Sequence, residues 1–393
     1  MIKQEDEYIF EKVPSQIISV SPNISIKVVN TLDGFKEFYK VPFKIYSEEE
    51  NWVPSFWSEF SDFFKTHQLF WSHSRCQLYI AYHNDEPVGR IAAIIDDSLS
   101  GKKKTTIGFF GFFECINEYS IARELIDTVK NWLKEQGMKE MHGPVDGRVD
   151  VGSGFVIKGY NTLPYLLGHY SKPYYNEFME RYEMRKEKDL ISYHIDLSKD
   201  IPMKVKESAK RCEEQGISFR TFNRFRFHRE MKWWIPMLLD IFSHHWGYTS
   251  SSEEEVKERF GIKQLRWIVD PNLFLIAKHK NQEIGFRWSL PDYNQIFKEM
   301  NGTIGLSGVI KILFTRRKKI TRGRFIIMGI KEKYQGMGVG TFLNYHTLVE
   351  MKKRGYGCAE YGWIDENNIA SCKAGEKIGG EVYKIYRIYK TKL

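Results

Sequence analysis

The chain carries one segment twice. LYIAYHNDEPVGRIAAIID (Leu78 to Asp96) aligns with FLIAKHKNQEIGFRWSLPD (Phe274 to Asp292), placing Ala81, His83 and Gly89 on Ala277, His279 and Gly285 at an offset of 196 (277 − 81). Each copy reads as a strand, a polar turn and a second strand, which is an antiparallel hairpin. Further on, ELIDTVKNWLKEQGMKEMHG aligns with NYHTLVEMKKRGYGCAEYG, with Gly137 on Gly355 at an offset of 218 (355 − 137). Both have the apolar spacing of an amphipathic helix, closed by a glycine ahead of a strand. A repeat of this kind predicts two similar α/β units, 1–200 and 201–393, joined around LSKDIPM. A chain of 393 residues is long enough for two separate cores.

The two offsets differ by 22 residues (218 − 196), and the excess lies in the second unit between LPDYN and GRF. This insert holds an apolar run, Ile304 to Phe314, followed by Arg316, Arg317, Lys318, Lys319, Arg322 and Arg324. It reads either as a solvated basic loop beside a buried helix or as a basic apolar lip. The lip would reach phosphates or give peripheral contact with an acidic lipid surface through Ile304 to Arg324.

A net charge of +9 favours anionic partners without choosing among them. Nucleic acid is not expected, because RRKK comes with no recognised binding module. The five cysteines are scattered and form no CxxC pair, which predicts reduced thiols, no disulfide framework and no metal site. No apolar run is long enough to span a bilayer, and the acidic, polar start MIKQEDEYIFEK does not resemble a secretory signal. A cytoplasmic location is the expectation. Aromatic residues make up 15% of the chain, suited to aromatic-rich cores or to large pockets and lipid-facing surfaces.

The stretch KEKYQGMGVGTF sits between the apolar run FIIMGI and a helical segment. A turn without side chains at the start of a helix can bring backbone N–H groups onto a phosphate. The pattern is neither the Walker loop nor the GxGxxG of dinucleotide folds. An ordinary strand-to-helix turn is the other reading.

In order, FIIMGIKEKYQGMGVGTFLNYHTLVEMKKRGYGCAEYGWIDENN resembles the fourth strand, Q/R-x-x-G-x-G/A loop, helix and fifth strand of the GCN5-related N-acetyltransferases. The resemblance implies two tandem domains of that fold, each a central mixed sheet flanked by helices. It also implies that Gln335, Gly336, Met337, Gly338, Val339, Gly340 and Thr341 hold the pyrophosphate of acetyl-coenzyme A or a longer acyl-coenzyme A. The backbone of Gly329 and Ile330 would polarise the thioester carbonyl, and Asn368 would meet the pantetheine.

The ending, AEYGWIDENNIASCKAGEKIGGEVYKIYRIYKTKL, looks like that of bacterial tandem proteins of this superfamily, some of which resemble ceramide-forming N-acyltransferases. Glu360, Trp363, Asn368, Gly379, Lys384, Tyr386, Arg387 and Tyr389 match. LPDYN (Asp292, Asn294), GFFGFFE (Glu114) and HGPVDG (Gly143, Pro144) also resemble that group.

Two departures affect the chemistry. Many relatives place an acidic tyrosine seven residues after the Asn, where this chain has Gly375, and the carboxylate usual early in the fourth strand is absent from RFIIM. In the first unit the positions of Gln335, Gly336, Gly338 and Gly340 become Asn117, Glu118, Ser120 and Ala122, which removes the phosphate cradle. The first unit would then shape an acceptor pocket or stabilise the second.

Acyl transfer to an amine needs a polarised carbonyl and a route for a proton. Glu360 is the first choice for general base, with an ion-paired structural carboxylate as its other reading. His245, in FSHHWGY, could relay a proton or pack with Trp246 and Tyr248. Tyr386 or Tyr389 could replace the missing acid or simply pack on the sheet. Asp292, Asn294 and Trp363 are placed at the acceptor, although a hairpin cap also explains PDYN.

The expected activity is an acyl-coenzyme A-dependent N-acyltransferase acting on a small-molecule amine, acetyl by default. A long-chain version acting on an amino lipid such as a sphingoid base is one alternative, and a non-catalytic coenzyme A-binding module is another.

Overall fold

A computed structural model describes residues 7–10, 14, 16–21, 23–99, 106–242, 252–260, 268–303 and 320–393. The chain divides into a first unit, 1–189 with 297–309 and 386–393, and a second, 190–296 with 310–385.

The first unit runs β1 (Ile17–Ser21), β2 (Ile24–Val28), α1 (Leu32–Ile45), α2 (Trp57–Phe63), β3 (Ser74–His83), β4 (Glu86–Asp96), β5 (Ile107–Cys115), α3 (Tyr119–Glu135), β6 (Glu140–Gly143), β7 (Phe155–Lys158) and α4 (Tyr174–Arg181). β8 (Arg185–Asp196) leads into the second unit. There follow α5 (Met203–Glu214), β9 (Ile217–Thr221), α6 (Phe227–Phe242), α7 (Glu253–Arg259), β10 (Phe274–His279), β11 (Gln282–Pro291) and β12 (Arg322–Ile330). α8 (Val339–Lys353), β13 (Cys358–Asp365), α9 (Ile369–Lys377) and β14 (Glu381–Lys392) complete the chain. From Tyr386 onward β14 belongs to the first unit.

Strand order in the first unit is β1-β2-β3-β4-β5-β6-β14, and in the second it is β8-β13-β12-β11-β10-β9. The strands of each unit include both antiparallel neighbours and a parallel pair, β5 with β6 in the first and β12 with β13 in the second. Both parallel pairs are joined by a crossover helix, α3 or α8, as parallel neighbours require.

The repeated segment is a hairpin in both units. Its turn residues, Asn84 and Asp85 or Lys280 and Asn281, all have φ between 48° and 63°. That left-handed pair matches the twist of the flanking strands. Ala81 faces Gly89, Ala277 faces Gly285, and a register shift follows immediately in each. The shared glycine has a steric cause. A Cβ on Gly89 would lie 2.8 Å from Leu125 of α3, and one on Gly285 would lie 2.9 Å from the carbonyl of Gly329.

Each core follows from the strand alternation. In the first unit, Ile121, Leu125, Val129 and Leu133 of α3 cover one face of the sheet. Phe35 and Phe38 of α1, Phe60 of α2 and the following Phe64 cover the other. The abundant aromatic residues are used here, Phe35 meeting Phe64 edge-on with centroids 5.2 Å apart. In the second unit, Val339, Phe342 and Leu343 of α8 pack with Ala209 and Cys212 of α5 against Ala277 and Ile284. All five cysteines are thiols.

Candidate functional site

The glycine turn runs from the end of β12 into α8. Gly336 and Gly338 have φ of 78° and 87°, and Gly338 is the helix N-cap with no side chain bonded to the helix start. The first N–H groups of this 15-residue helix therefore have neither an internal partner nor a capping oxygen. Nothing lies within 4 Å of where a Cβ on Gly336 would be, whereas one on Gly338 would meet Cys212 Sγ and Ser208 Oγ at 3.2 Å. Gln335 folds back, its Nε2 donating to the Ile330 carbonyl at 3.2 Å, and Lys377 Nζ donates to Thr341 Oγ1 at 3.1 Å. Amides without an internal partner, open space above Gly336 and a neighbouring ammonium are the chemistry that a pyrophosphate needs. Met337 is exposed and Val339 buried, as a turn seated on its helix dictates.

In the first unit the equivalent helix, α3, starts from Glu118 with φ −139° and no left-handed turn. The Glu118 carboxylate accepts from Ser120 Oγ at 2.7 Å, setting negative charge where the second unit has open amides.

Beside the glycine turn the sheet opens. β12 and β13 pair only from Arg322 opposite Cys358 to Phe325 opposite Tyr361. Ile326 is the extra residue of a bulge, since Trp288 faces Ile327 and Ser289 faces Phe325. Lys331 N–H bonds back to the Ile284 carbonyl of β11. By alternation the peptide groups of Met328 and Ile330 point away from β11, into the opening, whereas Gly329 points at β11. Gly329 is also sterically enforced, because a Cβ there would lie 2.2 Å from Ile241 Cδ1.

Glu360 stands at the root of this opening. Arg324 faces it across β12 and β13, and His194 faces it across β13 and β8, so the three share one face of the sheet. Glu360 is 1% exposed, its Oε1 lies 3.1 Å from Arg324 Nε, and its Oε2 accepts from the Tyr383 hydroxyl. Arg324 also donates to the Gly362 carbonyl at 3.3 Å. Lys384, fully buried, is pushed down to about 8 by burial, which outweighs the pull of Glu360, with the charges of Arg322 and Arg324 adding to the fall. Tyr383 is half-buried and carries the cluster toward the surface.

On the opposite face, Arg287 is buried between the rings of Phe325 and Tyr361, 4.9 and 4.7 Å from their centroids. It donates twice to Asn344 Oδ1, at 2.9 and 2.6 Å, tying α8 to the sheet.

The remaining residues singled out from the sequence have these positions. Asp292 is fully buried, ion-paired with Arg322, and accepts from Asn294 N–H at 3.3 Å, while Asn294 is itself buried. Asn368 caps α9, its Oδ1 accepting from Ser371 N–H at 3.1 Å. Trp363 is half-buried on β13. Tyr386 and Tyr389 are buried in the first unit, where Tyr389 donates to Asn176 Oδ1 at 2.8 Å. His245, with His244, Trp246 and Tyr248, and residues 304–319 of the insert lie outside the described residues.

Gly375 is a glycine for a packing reason: a Cβ would meet Tyr193 and Tyr361 at 3.1 Å. The residues that sequence reasoning passed over are Tyr383, Arg324 and the buried state of Lys384. Lys384 stands in the Lys-x-Tyr-Arg-x-Tyr ending, but Tyr383 lies just before it and Arg324 far from it, so no sequence signal joined them to Glu360.

No family model matches the chain. It is 26% identical over 383 residues to the bacterial ceramide synthase of Caulobacter vibrioides (strain NA1000 / CB15N), spanning 95% of this chain and 99% of that protein. It is also 26% identical over 373 residues to protein YghO of Escherichia coli (strain K12), spanning 92% and 93%. Among solved structures it is similar to a tandem GNAT protein from the clavulanic acid biosynthesis pathway, with TM-score 0.56, 10% identity, and 94% and 98% of the two chains covered. A GCN5-related glucosamine N-acetyltransferase region of a fungal multi-domain beta-N-acetylglucosaminidase gives TM-score 0.53 at 11% identity. That match covers 95% of this chain, which spans 39% of the larger protein. The chain is a tandem protein of the GCN5-related N-acetyltransferase fold.

Proposed function

We propose that the chain is an N-acyltransferase that takes an acyl group from a coenzyme A thioester held by the second unit and passes it to the amine of an amino lipid. The observation that carries the donor is the uncapped start of α8 behind two left-handed glycines. The donor supplies an activated acyl group as its thioester.

The chain's own residues do the rest. The amides from Gly338 to Thr341 bind the pyrophosphate, with Lys377 beside them. The Ile330 N–H, directed into the opening, donates to the acyl carbonyl and stabilises the charge that develops there. Glu360 is too deeply buried to touch an amine, so its basicity reaches the surface through Tyr383. As the amine attacks, the C–N bond forms and the thioester C–S bond breaks with its electron pair leaving on the coenzyme A sulfur, while an N–H bond of the amine breaks, that proton joins the Tyr383 oxygen, and the hydroxyl proton of Tyr383 passes to Glu360. Arg324 holds the carboxylate in place through both steps.

A long acyl chain and a sphingoid-type acceptor are favoured over acetyl transfer by likeness along 99% of the length of a protein named a ceramide synthase. Among the described residues no helix is long and apolar enough to cross a membrane.

The test is release of free coenzyme A together with amide formation, using palmitoyl- and acetyl-coenzyme A with sphinganine and with short amines. Palmitoyl transfer to sphinganine is expected to dominate. Turnover confined to acetyl-coenzyme A would remove the lipid reading, and inertness toward every pair would remove the enzyme reading.

A further inference from the structure

The first unit has a polar cavity of about 50 Å³ that the chemistry above does not use. It lies where β5 parts from β6, and Arg90, Phe112, Glu114, Asp146, His169 and Tyr170 are among its walls. Glu114 Oε2 accepts from the hydroxyls of Tyr46 at 2.6 Å and Tyr175 at 2.8 Å. Its Oε1 lies 4.0 Å from Arg90 Nη2, and the side chain keeps 14% of its surface accessible.

Three further observations mark the cavity as built. Arg90 is 7% exposed, and its Nε meets no hydrogen-bond partner among the described residues. Its Nη1 donates to the Phe38 carbonyl at 3.0 Å, and its guanidinium lies over the rings of Phe38 and Phe60. Phe112 sits on the wall with φ 50°, in a bulge of β5, and its N–H donates to Asp146 Oδ1 at 2.5 Å. A left-handed aromatic residue is strained and persists only where its surroundings hold it. Gly152 makes room for the far wall, since a Cβ there would come within 2.3 Å of Asp146 and 2.6 Å of His169. The Ser153 N–H bonds to His169 Nε2 at 3.1 Å, which makes that nitrogen an acceptor.

With Glu114 ionised, two carboxylates against one guanidinium give the site an excess of negative charge, and hydroxyls surround it. The volume suits a head group about the size of one or two waters, not a chain. Burial pushes Glu114 up to about 7, against the pull of Arg90 and of the two tyrosine hydroxyls, with Asp146 adding to the rise. A carboxyl titrating there can take up or hold a proton at neutral pH.

We propose that this cavity binds the head of a protonated primary amine and that Glu114 accepts its proton. In that step one N–H bond of the ammonium breaks, the electron pair stays on nitrogen, and an O–H bond forms on Glu114. The binding of this amine does not rest on the acyl-transfer reading.

Calorimetric titration of the full chain with n-hexylamine, without any acyl donor, tests the site, with n-hexanol as neutral control. From pH 6 to pH 8 the hexylamine affinity is expected to rise about tenfold as Glu114 ionises, while hexanol stays weak and independent of pH. Glu114→Gln should flatten the profile and weaken binding at pH 8 about tenfold. The profile of the unsubstituted chain decides the matter even where Glu114→Gln fails to fold. No hexylamine binding, equal binding of hexanol, or an unchanged profile in a folded Glu114→Gln would overturn the proposal. Because no acyl donor is present, failure of this site and failure of acyl transfer are read separately.

Discussion

The hydroxyl of Tyr383 donates to Glu360 Oε2, and this contact joins a carboxylate at the root of the open strands to a half-buried side chain on β14. A buried carboxylate alone would be a structural anchor; with the hydroxyl it has an outlet. Glu360→Gln should lower the turnover number for amide formation by about 10² to 10⁴, with coenzyme A affinity changed less than about twofold. Tyr383→Phe removes the outlet and leaves the Arg324 pair intact, so it should show the same loss with little change in stability. Steady-state kinetics beside thermal melts separates the two effects. Full activity in Tyr383→Phe would eliminate the relay.

Gly375 invites an obvious repair, restoring the tyrosine found in many proteins of this fold. The structure predicts that the repair fails. Tyr193 and Tyr361 already stand 3.1 Å from the position of a Cβ. Gly375→Tyr should destabilise the second unit by about 1–3 kcal/mol through overpacking, without raising activity. A urea melt and a rate measurement on the same preparation check both parts.

Lys384 predicts a signature in stability against pH. Its ammonium is held down to about 8 from the ordinary 10.5, so between these values the unfolded chain binds more protons than the folded one. Stability from this group is therefore present above pH 10.5 and is lost as pH falls through 8. Relative to Lys384→Met, the unsubstituted chain should gain stability between pH 8 and pH 10, by at most about 3 kcal/mol. Urea midpoints of both proteins across that range measure the gain; a constant difference would contradict the placement of Lys384.

Much of this architecture could be read from residues alone, for local reasons. The two hairpins were visible because strand alternation and turn chemistry act over a few residues, as at Ala81 and Gly89 or Ala277 and Gly285. The glycine turn was visible because Gly336 and Gly338 need a backbone that other residues resist. What escaped depends on contacts distant in sequence. Tyr383 and Tyr386 are three residues apart on one strand, yet Tyr383 meets Glu360 and Tyr386 packs in the first unit. No local pattern tells which residue of a strand belongs to which unit. Glu114 had only its resemblance to recommend it, since Tyr46, Arg90 and Tyr175 converge on it from the end of α1, from β4 and from α4.

Acyl transfer as proposed requires one donor molecule, held by the second unit. Calorimetric titration with coenzyme A should give one site per chain, and Gly338→Val should weaken it at least about tenfold. A β-branched residue resists φ near 87° and would press on Cys212 and Ser208. Circular dichroism and melting of the variant confirm that the fold is kept. One site lost in Gly338→Val is the result predicted; no binding to the unsubstituted chain, two sites, or unchanged affinity in a folded Gly338→Val would contradict it.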